Sequence, residues 1–186
     1  MKKFITGISL TLIMLLPKLA SSQKPLFSLG AELAFPAVNY SETGNSGIGG
    51  SVRMEHPWSK HVSGLISVEY VQYTTREIKE FFHQQFSILP IQFGIKYYTK
   101  ERGIYPAGFY LSAELGFAGE FYRYSFTDPY NNSIDDHHDT YVGLCNTMGA
   151  GYQLGIIDAG FRFQTLISVN TGITTYYNFR LAFTIR

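Results

Sequence analysis

The segment at residues 175–186 alternates apolar and polar side chains almost without exception. One set of positions is apolar: Tyr177, Phe179, Leu181, Phe183 and Ile185. Because successive side chains of a β-strand point to opposite faces, this pattern predicts a strand with one apolar and one polar face. The same period of two recurs along most of the chain, so it predicts β-strands along most of the molecule.

The alternation predicts eight strands separated by turns and loops. Their expected bounds are residues 26–38, 48–57, 62–74, 86–98, 108–126, 140–154, 158–169 and 175–186. No stripe with a helical period follows the N-terminal region, and no later apolar run approaches the roughly 20 residues that a transmembrane helix needs. Pro90 and Asn146 disturb the alternation, so a bulge or a slip of parity is expected at each.

The N-terminus has the three regions of a secretion signal. Lys2 and Lys3 precede an apolar run at residues 4–16, and small residues follow as far as Ser22. The run is too short to span a bilayer comfortably, which favours a cleaved signal over an anchor. We therefore predict a signal peptide at residues 1–22 and one β-domain at residues 23–186.

A strand with one apolar face can turn that face toward a soluble core or toward lipid. Here the opposite face repeatedly carries Glu and Arg, and the chain opens with an export signal. These features predict an all-β fold: an eight-stranded, antiparallel, up-and-down transmembrane β-barrel in the outer membrane of a double-membraned bacterium. Arg180 is expected inside it, beside the first strand. The alternative is a soluble exported, lipocalin-like carrier whose apolar faces point inward.

The polar parity collects charged residues inside the expected barrel. They are five acids and four bases: Glu32, Arg53, Glu55, Glu69, Lys96, Glu114, Glu120, Arg162 and Arg180. This near balance favours a packed interior of ion pairs, because an unpaired buried charge is expensive. A selective pore is the functional alternative, but about eight strands enclose a lumen that side chains just fill.

The composition of the chain bears on which classes of partner it can bind. The formal charge of +1 would become slightly negative once the signal, with its three lysines, is removed. Such a balance argues against nucleic acid as a partner. Aromatic residues make up 16% of the chain, which suits strands and membrane girdles, and the single Cys145 has no partner for an internal disulfide. The expected surroundings are outer-membrane lipid and lipopolysaccharide.

An acidic connection at residues 128–139 contains five candidate metal ligands. They are Asp135, Asp136, His137, His138 and Asp139. A divalent cation could bind there or bridge the loop to lipopolysaccharide, but the ligands lack defined spacing, so a solvated acidic loop without a metal is the preferred interpretation. We predict neither an enzyme nor a cofactor, because no nucleophile elbow and no His-Glu-x-x-His run is present.

Residues 89–98 and 105–110 carry a resemblance to a known family. The sequence Leu-Pro-Ile-Gln-Phe-Gly-Ile-Lys-Tyr-Tyr is followed, after a short turn, by Tyr-Pro-Ala-Gly-Phe-Tyr. This pair of motifs and the signal-plus-barrel layout resemble the PorT-like family of small outer-membrane β-barrels. The resemblance implies an integral outer-membrane barrel of OmpA/OmpX-like architecture and supplies no catalytic residues.

The expected function is a structural, adhesive or surface-interaction role exerted through the outer loops. Some PorT relatives belong to a secretion apparatus, so the resemblance implies a second candidate function with an envelope protein as partner. The sequence names no ligand for either function.

Overall fold

The computed structural model describes residues 24–38, 44–75, 82–101, 107–127 and 134–185. The predicted signal peptide lies outside these residues. The described chain forms eight strands: β1 (Leu26–Val38), β2 (Gly44–Pro57), β3 (Val62–Thr75), β4 (Phe82–Tyr98), β5 (Ala107–Thr127), β6 (Ile134–Leu154), β7 (Ile157–Ser168) and β8 (Gly172–Ile185). The prediction of eight strands is confirmed.

The strands pair in sequence order, and every neighbouring pair is antiparallel. β1 also pairs with β8, with Leu29 opposite Phe183 and Glu32 opposite Arg180, so the sheet closes into a barrel. This closure confirms the predicted fold class and the predicted place of Arg180 beside the first strand. Within the described ranges, no helix is long and apolar enough to cross a membrane.

The connections lie at two ends of the barrel. The hairpin end holds the C-terminal ends of β1, β3, β5 and β7, and the turn end holds those of β2, β4 and β6. The tightest turn joins β6 to β7, where Leu154 pairs with Ile157 and Gly155 has a φ of +61°. Glycine suits this position because a side chain is strained in the left-handed region.

Two expectations about strand bounds and regularity were wrong. β5 and β6 pair as far as Thr127 opposite Ile134, so the connection expected at residues 127–139 is much shorter. Polar side chains hid this extension, although backbone groups pair there as elsewhere. The register is the same on both sides of Pro90 and Asn146, although the β3–β4 pairing skips Leu89 and Pro90. The irregularities instead fall at Pro36/Val38 and Gly44/Gly47.

The apolar faces point outward and the polar faces point inward. Exposed large residues cover the outer surface, among them Leu115, Phe117, Leu181 and Phe183 at 55–63% exposure, whereas the interior holds charged and amide side chains. The apolar-inward arrangement expected of a lipocalin-like carrier is therefore absent from the described strands. A closed barrel leaves no open edge within its wall, so its backbone is satisfied in lipid.

Candidate functional site

The interior charges are the first candidate site. All nine charged residues that parity assigned to the lumen are at most 6% exposed. They lie on β1, β2, β3, β4, β5, β7 and β8, because each strand turns alternate residues inward. The described interior therefore gathers residues that are far apart in sequence.

Arg162 lies at the centre of the largest group of ion pairs. Its Nη2 atom is 2.8 Å from Glu32 Oε2 and 2.9 Å from Glu69 Oε2. Arg180 Nε lies 3.3 Å from Glu32 Oε1, and Asn178 donates a 3.4 Å hydrogen bond to Glu69. One guanidinium thus holds two carboxylates together that would otherwise repel each other in a medium of low dielectric.

A second pair lies beside this group. Arg53 Nη2 is 3.4 Å from Glu114 Oε1, and Ser67 donates a 2.5 Å hydrogen bond to Glu114 Oε2. Each carboxylate oxygen of Glu114 therefore has a favourable contact, one from a cation and one from a hydroxyl. This is the arrangement that makes a buried charge tolerable.

Lys96 organises the turn end of the lumen. Its Nζ atom lies 3.1 Å from Asp158 Oδ2, 3.5 Å from Glu55 Oε2 and 3.8 Å from the centre of the Tyr110 ring. Tyr110 donates a 2.7 Å hydrogen bond to Asp158 Oδ1. Lys96 therefore meets both carboxylates and an aromatic face, each of which stabilises a buried ammonium.

Asp158 was missed as a member of this network. It is 3% exposed and also accepts a 3.1 Å contact from Arg180 Nη1, so it links the Lys96 group to the Arg162 group. The signal was available, because Asp158 has the inward parity of its strand, but it opens the predicted segment. Residues at strand ends carry a weaker pattern than those in the middle.

Glu120 stands apart from the other acids. Thr171 donates a 2.8 Å hydrogen bond to Glu120 Oε2, and none of the ion pairs formed by the described residues includes Glu120. It points inward as expected, and the hydroxyl groups of Thr171, Ser168 and Tyr122 stabilise its carboxyl group. Sequence parity alone does not separate it from the paired acids.

Glycines make room for the large interior side chains. A Cβ atom placed on Gly151 or Gly160 would press on the hydroxyl of Tyr110 from β6 and β7. The Tyr110 ring can therefore reach across to Asp158 and Lys96. Eighteen glycines in the chain read as turn signals in sequence, yet these two lie within strands and serve packing.

The candidate metal ligands of the acidic connection do not form a cluster in the described structure. His137, His138 and Asp139 lie in β6 rather than in a loop, and residues 128–133 of the acidic connection fall outside the described residues. Across the described ranges, no group of three or more His, Cys, Asp or Glu side chains could hold a metal ion. His137 and His138 are exposed on the projecting part of the strand.

The hairpin of β5 and β6 projects beyond the rest of the barrel, and it is the second candidate site. Both strands are 21 residues long, whereas β7 has 12. The pairing between β6 and β7 ends at Leu144 opposite Ile167, and Gly143 still lies against Ile167, so residues 134–142 of β6 lie beyond β7. β4 pairs with the other side of β5 as far as Phe82 opposite Phe126. The projection is therefore a three-stranded sheet.

Comparison with known proteins places the fold and not a family. No protein-family model matches the chain, and no curated protein matches it. The solved structure of Ail, the attachment invasion locus protein of Yersinia pestis, is similar with a TM-score of 0.61 at 8% identity, covering 88% of this chain and 99% of that one. The N-terminal β-barrel domain of Pseudomonas aeruginosa OprF is similar with a TM-score of 0.53 at 13% identity, covering 88% and 98%.

These likenesses agree with what the geometry establishes independently. The barrel is closed and has eight strands, its outside is apolar and its inside is charged. Only a bilayer gives such an exterior a favourable surrounding, and transmembrane β-barrels of this design are outer-membrane proteins. The chain has the fold of a small eight-stranded outer-membrane β-barrel.

Proposed function

We propose that this protein is an integral outer-membrane barrel that mediates attachment at the cell surface through its projecting β5–β6 hairpin. The observation that carries the proposal is the open edge of β6. Residues 134–142 pair with β5 on one side and have no strand on the other side among the described residues. Long hairpins of bacterial barrels face the outside and short turns face the periplasm, which directs the projection outward.

An open strand edge is a surface that another strand can join. Its backbone N–H and C=O groups point sideways and pair readily with an extended segment of a partner. In the projecting part Arg123, His137 and His138 are exposed, so polar and basic side chains flank the edge. Neither proline nor lysine, which commonly block such edges, occurs in residues 134–142.

The printed name of Ail links that protein to attachment and invasion, and Ail has also been solved in complex with the heparin analogue sucrose octasulfate. This supports a surface role for a chain of the same fold. Outer-membrane lipid and lipopolysaccharide would surround the apolar belt in this arrangement. No catalytic step and no cofactor is part of the proposal.

The experiment compares bacteria that produce the full protein with bacteria that produce a version in which residues 124–137 are replaced by an Asn-Gly turn. Attachment to surfaces coated with protein, with heparin or with neither is counted against cells that lack the gene. The full protein should raise attachment several-fold, and the shortened protein should leave it at the background level. Equal attachment by both versions, each verified as folded and exported, would refute the proposal.

A secretion role remains the second candidate, because residues 89–98 in β4 resemble the PorT-like motif. It predicts a stable envelope protein that copurifies in mild detergent and a secretion defect after deletion of the gene. The attachment experiment separates the two roles: the shortened protein should retain secretion if the barrel wall, rather than the hairpin, binds the partner.

A further inference from the structure

We propose that a layer of stacked aromatic rings seals the hairpin end of the lumen, so that the charged interior beneath it does not conduct ions. The ring layer consists of Tyr73, Phe86, Tyr122, Tyr141 and Tyr176. This inference concerns the barrel interior and is independent of the attachment role of the hairpin.

The five rings form one continuous chain of contacts. Phe86 and Tyr122 stack with their centroids 4.6 Å apart, and Tyr73 and Phe86 stack at 5.3 Å. Tyr73 also meets Tyr176 at 5.3 Å, and Tyr122 meets Tyr141 edge-on at 5.7 Å. These separations lie in the range in which aromatic pairs attract each other, so the layer holds itself together.

The ring layer crosses the lumen rather than lining one wall. Tyr73 lies on β3 and Tyr176 on β8, and two strands, β1 and β2, separate them along the wall. Those two strands contribute Ala34 and Gly47 at this level, and a Cβ atom on Gly47 would come within 2.8 Å of the Tyr73 ring. Small residues on one side of the barrel therefore let rings from the other side meet across it.

The ring layer consists mainly of buried aromatic and aliphatic side chains. Tyr73, Phe86, Tyr122 and Tyr176 are at most 5% exposed, and Leu166 and Cys145 extend the same apolar cluster to β7 and β6. Glu120 lies opposite Tyr141 in the β5–β6 ladder and brings a buried carboxyl group to the level of the ring layer. The rest of the layer is aromatic and aliphatic, so an ion that passed through would lose most of its hydration, which is costly. A barrier of this kind does not require the rings to move.

Charged side chains line the interior on the other side of the ring layer. That part of the described interior holds five buried acids and four buried bases, because Asp158 joins the expected residues and Glu120 lies at the level of the ring layer, opposite Tyr141. An excess of acidic groups attracts cations and repels anions. If the seal were removed, the path that appears should therefore prefer cations.

The experiment measures single-channel current of the purified protein in planar bilayers. The unmodified protein should give no stable conductance steps. The double variant Phe86→Ala with Tyr122→Ala should give steps, and its reversal potential in a potassium chloride gradient should show cation preference. A matched control, Phe93→Ala with Phe117→Ala, removes two rings from the outer face of the same two strands and should stay silent.

Cys145 gives a second readout that does not depend on conductance. Its thiol is buried in the cluster, where it meets the side-chain amide of Gln164 at 3.0 Å, and it is the only cysteine in the chain. A charged thiol reagent added to intact cells should leave Cys145 unmodified in the unmodified protein and label it in the double variant. If the variant Phe86→Ala with Tyr122→Ala does not fold, the variant Tyr73→Ala with Tyr176→Ala is used in its place.

Two outcomes would overturn the proposal. One is that the unmodified protein conducts, with steps as large as those of the double variant. The other is a folded double variant, shown by its heat-dependent gel shift, that stays silent in bilayers and leaves Cys145 unlabelled. Labelling together with conductance supports a seal in the ring layer.

Discussion

At the scale of single residues, the interior depends on a few side chains that each serve several partners. Arg162 contacts Glu32 and Glu69, and Lys96 contacts Asp158 and Glu55. Removing one member leaves its partners buried without compensation, whereas an exposed pair returns to water at little cost. Removing one partner of an ion pair should therefore lower the stability of the barrel much more in the lumen than on the surface.

The substitution Arg162→Met should destabilise the barrel strongly, because it removes the cation that two neighbouring carboxylates share and leaves Arg180 to Glu32 as the remaining ion pair of this group. A loss of about 3–5 kcal/mol is expected in urea unfolding from lipid or detergent. The control is Lys60→Met, which breaks the exposed 3.0 Å pair with Glu101 at the turn end and should cost about 0–1 kcal/mol. Equal losses for the two variants would contradict the assignment of Arg162 as the central cation.

The substitution Gly151→Ala should displace Tyr110 from Asp158, because the added Cβ would overlap the tyrosine hydroxyl. A loss of about 1–3 kcal/mol is expected, as for other overpacked interiors. Gly50→Ala is the matched control, since its Cβ would meet only a backbone oxygen at 3.5 Å. Unfolding midpoints of the two variants check the difference, and a stable Gly151→Ala variant would argue against the packing role.

At the scale of strands and turns, alternation predicted where strands lie better than where they end. β1 has the predicted bounds, because the alternation of side chains continues along most of the strand. β6 begins six residues before the expected start, since polar residues on both faces mask a strand whose backbone still pairs with β5. Element length at the hairpin end depends on that pairing and not on side-chain polarity.

The turn after β6 offers a test at this scale. Gly155 has a φ of +61°, so Gly155→Val should destabilise the barrel by about 1–2 kcal/mol through backbone strain. Gly155→Asn should cost clearly less, because asparagine tolerates the left-handed region. Refolding yield and urea midpoint of both variants provide the measurement, and an equal effect of the two side chains would exclude strain as the cause.

At the scale of the whole molecule, the barrel reverses the usual order of a soluble protein. Large apolar residues form the outside, and ion pairs and amides form the inside. The lumen is also divided along its length, with the ring layer toward the hairpin end and the Lys96 group toward the turn end. The membrane therefore supplies the surrounding that the apolar outer surface needs.

The lipid-facing belt predicts a dependence of stability on depth. Phe117→Arg places a charge on the outer face in the middle of β5 and should cost about 2–4 kcal/mol in lipid vesicles. Thr140→Arg lies at an exposed position of the projecting hairpin and should cost about 0–1 kcal/mol, as near the interface. A similar cost at both positions would place the membrane boundary higher than the barrel geometry suggests.

Much of the candidate interior site could be predicted, but its connections could not. Parity assigned Glu32, Glu69 and Arg162 to the lumen, because the facing of a strand residue is a local property. The local sequence pattern does not show that Arg162 bridges Glu32 and Glu69. These three residues are 37 to 130 positions apart and meet only after the barrel closes. The missed Asp158 has the same explanation, as its importance comes from Lys96 and Arg180.

The sequence by itself determined the two faces of the wall, the number of strands and hence the class of fold, because a period of two is set by the geometry of each strand. Only the tertiary structure decided which interior groups pair, how far the β5–β6 hairpin projects and that Tyr73 meets Tyr176 across the lumen. These features depend on register and closure, which are properties of the whole sheet. The alternation of residues 175–186 shows which face meets lipid, and the pairing of β8 with β1 shows what the other face meets.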